Sequence, residues 1–144
     1  AYVFGFSYMI NYKINNNLNL KSSVSFNQSK DLSTKLPLRH SSPIFGQTSI
    51  NFTKRNIKVS YYINYNGKKD ISNFSPSELN KLYLYTKDGS PAWLTNNISF
   101  IYNINYLAKI NFSCENVFDI HYRSYSSGIS APGRNFNIGL NMSF

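Results

Sequence analysis

The chain has 144 residues, 42% of them hydrophobic with aromatics supplying 17%, and a formal net charge of +9. That length builds one domain or a piece of a larger one, and no run approaches the roughly 18 uninterrupted apolar residues that a membrane-spanning helix needs. The cationic excess, including Lys30, Lys35, Arg39, Lys68, Lys69, Lys81 and Lys87, is scattered over polar connections, with no basic helix and no RNP-type motif. That speaks against nucleic-acid binding.

The period of the hydrophobic pattern is two almost throughout. The first predicted strand sets Tyr2, Phe4, Phe6, Tyr8, Ile10, Tyr12 and Ile14 against Val3, Gly5, Ser7, Met9, Asn11 and Lys13. Asn15, Asn16 and Asn17 then predict a tight turn, because Asn tolerates left-handed dihedrals. A second strand over about 18–28 carries Leu20, Val24 and Phe26 opposite Lys21, Ser23, Ser25 and Asn27. After a long polar connection, a third strand over about 45–53 has Ile50 and Phe52 on its apolar face. Lys54, Arg55 and Asn56 make a short turn into a fourth strand over 57–66, with Ile57, Val59, Tyr61, Ile63 and Tyr65 aligned.

A second long connection, 67–92, is rich in Lys, Asp, Ser and Pro; within it Leu82, Tyr83, Leu84 and Tyr85 suggest one arm of a short hairpin. The fifth strand, about 93–105, sets Leu94, Ile98, Phe100, Tyr102 and Ile104 against Thr95, Asn97, Ser99 and Asn103. A short turn leads to a sixth over about 109–118, with Ile110, Phe112, Cys114 and Phe118 on one side. The single cysteine permits no internal disulfide and reads as a small hydrophobe. A third long connection, 119–134, precedes the last strand, where Phe136, Ile138, Leu140, Met142 and Phe144 alternate with Asn and Gly.

Connection lengths therefore alternate short and long. Transmembrane β-barrels have short periplasmic turns and longer extracellular loops, and their strands need only about 9–11 residues with alternate positions polar. Face alternation and loop alternation are independent signals, and they agree. The expected fold is all-β, an antiparallel transmembrane β-barrel contributed in part by about seven strands. An odd number cannot close a bacterial single-chain barrel, so a fragment of a larger barrel is expected. A small eight-stranded structural or adhesive barrel is the alternative. A soluble sandwich or lipid-binding barrel would have to bury more than a dozen Tyr and Phe rings. No signal-peptide pattern opens at Ala1 and there is no initiator Met, so a signal was removed or the N-terminus lies upstream.

The last eight residues run Asn137-Ile138-Gly139-Leu140-Asn141-Met142-Ser143-Phe144. They resemble the C-terminal signal of outer-membrane proteins, whose defined slots Asn137, Gly139, Met142 and Phe144 fill. Such a strand implies recognition by the barrel-assembly machinery through edge pairing. A longer stretch is more specific: Glu115-Asn116-Val117-Phe118-Asp119, then His121-Tyr122-Arg123, then Pro132-Gly133-Arg134-Asn135-Phe136. This resembles the last two strands of TonB-dependent receptors, with Pro132 and Gly133 suiting a type II turn in which Gly133 takes positive φ. Lys35-Leu36-Pro37 through Pro43-Ile44-Phe45-Gly46, and Asp88-Gly89-Ser90-Pro91-Ala92-Trp93, are similar to earlier parts of the same family. The flavour is that of siderophore or colicin-receptor members from Bacteroidetes-like bacteria.

The resemblance implies a barrel of roughly 22 strands with an N-terminal plug, driven by TonB through a part absent from this chain. It implies import of a scarce ligand such as a ferric siderophore, with lipid and lipopolysaccharide around the barrel, no cofactor and no enzymatic step. The connections 29–43, 67–92 and 119–134 would line the extracellular vestibule. Their cations form either a solvated surface touching lipopolysaccharide phosphates or a vestibule that attracts anions. His121, Asp119 and Ser124 lie in one loop without a nucleophile elbow, and His40 and His121 lack zinc-ligand spacing. No ligand contact is assignable from sequence.

Overall fold

Alternating side chains commit each segment to two faces, and strand pairing multiplies that choice across a sheet. The computed structural model describes residues 1–39 and 41–143, so His40 and Phe144 lie outside the described residues. In chain order the strands are β1 (Tyr2–Lys13), β2 (Leu18–Lys30), β3 (Phe45–Lys54), β4 (Ile57–Asn66), β5 (Lys69–Asp70), β6 (Gly89–Ser90), β7 (Trp93–Asn103), β8 (Ala108–Glu115) and β9 (Asn135–Met142). Seven of them form one sheet in the order β1-β2-β3-β4-β7-β8-β9, and β5 pairs with β6 in a separate two-stranded ladder. Every neighbouring pair is antiparallel.

The register lines up like with like. One row across the sheet reads Tyr12, Leu20, Ile50, Tyr61, Ile98, Cys114 and Phe136. The next reads Leu18, Phe52, Val59, Phe100, Phe112 and Ile138. Cross-strand aromatic pairs tighten this face, with the Phe6 and Phe26 rings 5.8 Å apart and Phe112 and Phe136 at 6.4 Å. Polar atoms that fall on it are paired: Ser22 and Thr48 share a hydrogen bond at 2.8 Å, and the Tyr61 hydroxyl donates to Asn96. On the opposite face one row reads Lys13, Asn19, Asn51, Ser60, Ser99, Ser113 and Asn137.

The sheet has no apolar core of its own. Among the described residues only Phe74 and Tyr125 are buried hydrophobics, and both lie in connections, whereas Phe4 is 59% exposed and Ile138 80%. So large a contiguous apolar face is foreign to a soluble monomer. No helix is long and apolar enough to cross a membrane, which says nothing of strands.

Two of the three short turns use one device. Asn15 Oδ1 accepts the amides of Asn17 and Leu18, both at 2.9 Å, and Asn105 Oδ1 accepts those of Leu107 and Ala108 at 2.8 and 2.9 Å. The Asn15–Asn17 turn therefore works by side-chain acceptance and not, as the sequence suggests, by left-handed backbone; of the three short turns, only Arg55 has positive φ. At Gly46 a Cβ would collide with the Ser23 carbonyl and the Tyr65 ring. Tyr65 lies over this glycine and its hydroxyl donates to Ser23 O at 3.1 Å, filling the gap left by the missing side chain.

Several boundaries differ from the sequence reading, and β2 runs on to Lys30 where about residue 28 was expected. β7 ends at Asn103 and β9 at Met142. β8 ends at Glu115, not near Phe118, because Asn116 turns left-handed at φ 49° and Asp119 follows at φ 55°. Phe118, set outside the ladder, is 66% exposed. The 67–92 connection adds no strand to the seven-stranded sheet. Leu82–Leu84 form a 3-10 turn where a hairpin arm was expected, after a one-turn helix α1 (Pro76–Leu79).

Candidate functional site

The candidate site is the cap that the long connections build at one end of the sheet. Its nearer part is residues 116–134, anchored by Asn116, which is 3% exposed. The Asn116 amide donates to Asn97 Oδ1 at 2.9 Å, its side-chain oxygen accepts the Ile120 amide at 2.9 Å, and its Nδ2 donates to the carbonyls of Ile120 and Pro132. Asp119 Oδ1 accepts the Arg134 amide at 2.7 Å, and the Arg134 side chain donates to Val117 O at 2.9 Å. Both ends of the loop are thereby clamped onto β8 and β9.

Gly133 has a role other than the expected one. Its φ is not positive; instead Asp119 Oδ1 occupies the place where a Cβ would sit. The glycine leaves room for the Asp119–Arg134 bond. Tyr122 folds back against Trp93 with ring centroids 4.3 Å apart, over the polar face of the sheet. A pocket of about 110 Å³ lies beneath, lined by Tyr62, Asn97, Glu115, Tyr122, Pro132 and Asn135 among others.

The connection 67–92 supplies the second part. Lys69 and Asp70 pair with Ser90 and Gly89, where Gly89 has φ 114° and its missing Cβ admits the Lys69 carbonyl. The closed loop brings Phe74 against Tyr85 at 4.7 Å and Tyr125 at 5.3 Å, a small aromatic core shared with the 116–134 connection. Glu78, on α1, is 1% exposed. Its carboxylate accepts the Tyr85 hydroxyl at 2.5 Å and the Ser126 hydroxyl at 2.8 Å, while the Ser126 amide donates to Tyr85 Oη at 3.1 Å. Arg123 donates to Leu84 O at 3.0 Å and to Ser130 at 3.3 Å.

Titration of these loop groups follows their surroundings. Burial raises the Glu78 carboxyl, but the hydrogen bonds from Tyr85 and Ser126, with Lys81 and Arg39 nearby, outweigh it and hold the group below its ordinary value. Burial, together with the bond to Glu78, pushes the Tyr85 phenol upward. Burial lowers the Lys69 amine to about 8, against a small opposing effect of Glu78. The Lys69 ammonium donates to Ser41 O and lies 4.4 Å from the Tyr125 ring centroid.

Of the residues singled out from sequence, Asn116, Asp119, Tyr122, Arg123, Pro132, Gly133 and Arg134 come together as loop scaffolding. Glu115 pairs with Asn135 at the top of β8 and β9, and Phe136 lies on the apolar face opposite Cys114. Asn137 donates to Ser113 at 3.3 Å, Gly139 lies under the Asn111 side chain, and Met142 is opposite Ala108; Phe144 lies outside the described residues. His121, Asp119 and Ser124 are not assembled, since no hydrogen bond joins them among the described residues and Asp119 is engaged by Arg134. Among the described residues no group of three His, Cys, Asp or Glu side chains is placed to hold a metal ion. Sequence reasoning missed Phe74, Glu78, Tyr125 and Ser126, and it named Lys69 and Tyr85 only as a scattered cation and part of a hairpin arm. The local signal was apolar character inside a largely polar connection, at Phe74 and in the run Leu82–Tyr85.

Comparison with known proteins gives a fold and little else. No family model matches the chain, and no curated protein matches it. Among solved structures it is similar to a chain described as the copper transporter OprC, with a TM-score of 0.82 at 14% identity. The likeness is one of fold. It covers 99% of this chain and 23% of that one, so the chain spans under a quarter of the protein it matches.

Proposed function

We propose that this chain is a stretch of the wall of an outer-membrane β-barrel, about seven strands of roughly 22, in a TonB-dependent receptor that imports a scarce ligand. The observation that carries the reading is the two-sided sheet. One face is rows of aromatic and aliphatic side chains left exposed, and the other is a hydrogen-bonded polar surface over which the long connections fold. Lipid on one side and an aqueous lumen on the other satisfy both faces at once. The outer edges of β1 and β9 have no partner among the described residues. In hydrocarbon each unpaired backbone group costs several kcal/mol, so the wall requires further strands on both sides.

The fold likeness to a transporter supports this reading, and the Glu115–Arg134 motifs favour the receptor class over a small structural barrel. The motifs point to a ferric siderophore as the ligand; copper is what the similar structure is named for. Import proceeds by binding and passage, with no covalent step and no cofactor. The partners are lipid and lipopolysaccharide, the barrel-assembly machinery through the last strand, and TonB through a part of the receptor outside this chain.

Uptake in a strain deleted for the gene tests the reading, with radiolabelled ferric siderophores and copper offered separately under iron or copper limitation. Loss of TonB-dependent uptake of one of them supports it. Unchanged uptake of both, with no plug-sized domain encoded upstream, overturns it.

A further inference from the structure

Where the connection 31–43 meets residues 68–73, a cavity of about 570 Å³ opens at the top of β2. Among the described residues its charged lining is Lys30, Lys35, Lys68, Lys69 and Asp70. Asp70 is committed to Lys68 at 2.6 Å, and that is the one ion pair among the described residues. Lys69 is 8% exposed and has no carboxylate within ion-pairing distance among them. Its ammonium is met by a carbonyl and an aromatic face, which leaves donor capacity unused. A buried ammonium without an anion is costly, as the lowered Lys69 amine also reflects.

We infer that this cavity is an oxyanion site that takes a phosphate group, with Lys69 as its buried charge and Lys30 and Lys35 as cations at its rim. Lysine binds phosphate as a point charge, and several of them around one opening favour a multiply charged anion over a carboxylate. The volume is much larger than one phosphate and lies in the range of small-molecule sites. Phe26, Leu36, Pro37 and Ile44 give the remaining space an apolar wall, so the phosphate arrives on a larger carrier. That carrier is either a soluble ligand or the headgroup of a phosphorylated lipid. The inference does not depend on import, because binding is read on the purified protein.

Calorimetric titration of the full-length protein in detergent decides it, with inorganic phosphate in one arm. The other arm uses lipid A in mixed micelles, against lipid A stripped of its phosphates. Saturable binding is expected in at least one arm, lost in Lys69→Met and weakened about tenfold in the Lys30→Gln/Lys35→Gln double variant. The double variant keeps the test sound if Lys69→Met disturbs the cap, because neither rim side chain makes a hydrogen bond in the described structure. Binding of inorganic phosphate assigns the site to soluble ligands; binding of lipid A alone assigns it to a headgroup. Absence of saturation in both arms, equal heats from chloride at matched ionic strength, or affinities unchanged in both variants would overturn the inference.

Discussion

The Ser126 hydroxyl donates to the Glu78 carboxylate at 2.8 Å, joining positions 48 residues apart in the chain. Tyr85 fills the other carboxylate oxygen at 2.5 Å, so a fully covered charge holds two long connections as one body. Glu78→Gln keeps the shape but replaces one acceptor by a donor facing a hydroxyl. We expect the cap to lose about 1–3 kcal/mol of local stability, read as faster proteolytic nicking within 67–92 and 116–134 while the strands stay protected.

The same carboxylate sets a pH dependence. Its folded-state value lies below the ordinary one, so the stabilisation is complete above the unfolded carboxylate range and is lost as pH falls through the folded value. Lys69 acts in the opposite part of the scale. Its amine is lowered to about 8, so burial of its charge opposes cap closure below that pH and the cap gains stability as pH rises from about 8 toward the unfolded lysine value. Hydrogen exchange of cap amides against pH should therefore show opening in acid for the wild type, and that acid transition should be missing in Glu78→Gln.

Gly133→Ala tests the close approach at the base of the last strand. A Cβ there would displace Asp119 Oδ1, the acceptor of the Arg134 amide. The expected cost is about 1–3 kcal/mol, with the Arg134 amide exchanging faster. A variant with unchanged exchange at Arg134 would mean that the glycine has no such role.

Asn15→Ala and Asn105→Ala each remove two side-chain acceptances from a short turn. Each should cost about 1 kcal/mol in denaturant unfolding of the full protein from lipid. Asn16→Ala, whose side chain makes no hydrogen bond in the turn, should be close to neutral.

A charge on either face tests the proposed membrane wall. Ile98 lies at the middle of β7 on the apolar rows, and Ser99 beside it belongs to the polar rows. Ile98→Lys should destabilise the folded barrel by about 2–4 kcal/mol, the midplane cost of a lysine, whereas Ser99→Lys should change stability little. Equal effects at the two positions would remove the basis for a membrane wall.

Much of the sheet could be read from residue order because its cause is local. Alternation in Tyr2–Lys13 or Ile57–Asn66 fixes which side chains share a face without knowledge of any partner strand. Strand ends were less legible. Val117 and Phe118 continue an apolar pattern after Glu115, but the Asn116 side chain finds Ile120 and Pro132 and its amide finds Asn97, and those bonds end the ladder. The motif Glu115–Arg134 was visible as a pattern, and its physical role was not, since Gly133 matters through a contact with Asp119 and not through its own dihedrals.

The sequence by itself therefore determined the two faces, the seven strands of the sheet and the alternation of short and long connections, all of which follow from neighbours a few residues apart. Only the tertiary structure decided that the long connections form a closed cap, with Glu78 clasped by Tyr85 and Ser126 and with Lys69 buried beside an open cavity. In the sequence those residues are ordinary members of a polar loop. Their chemistry comes from exclusion of water and from partners dozens of positions away, and neither is encoded in any local period.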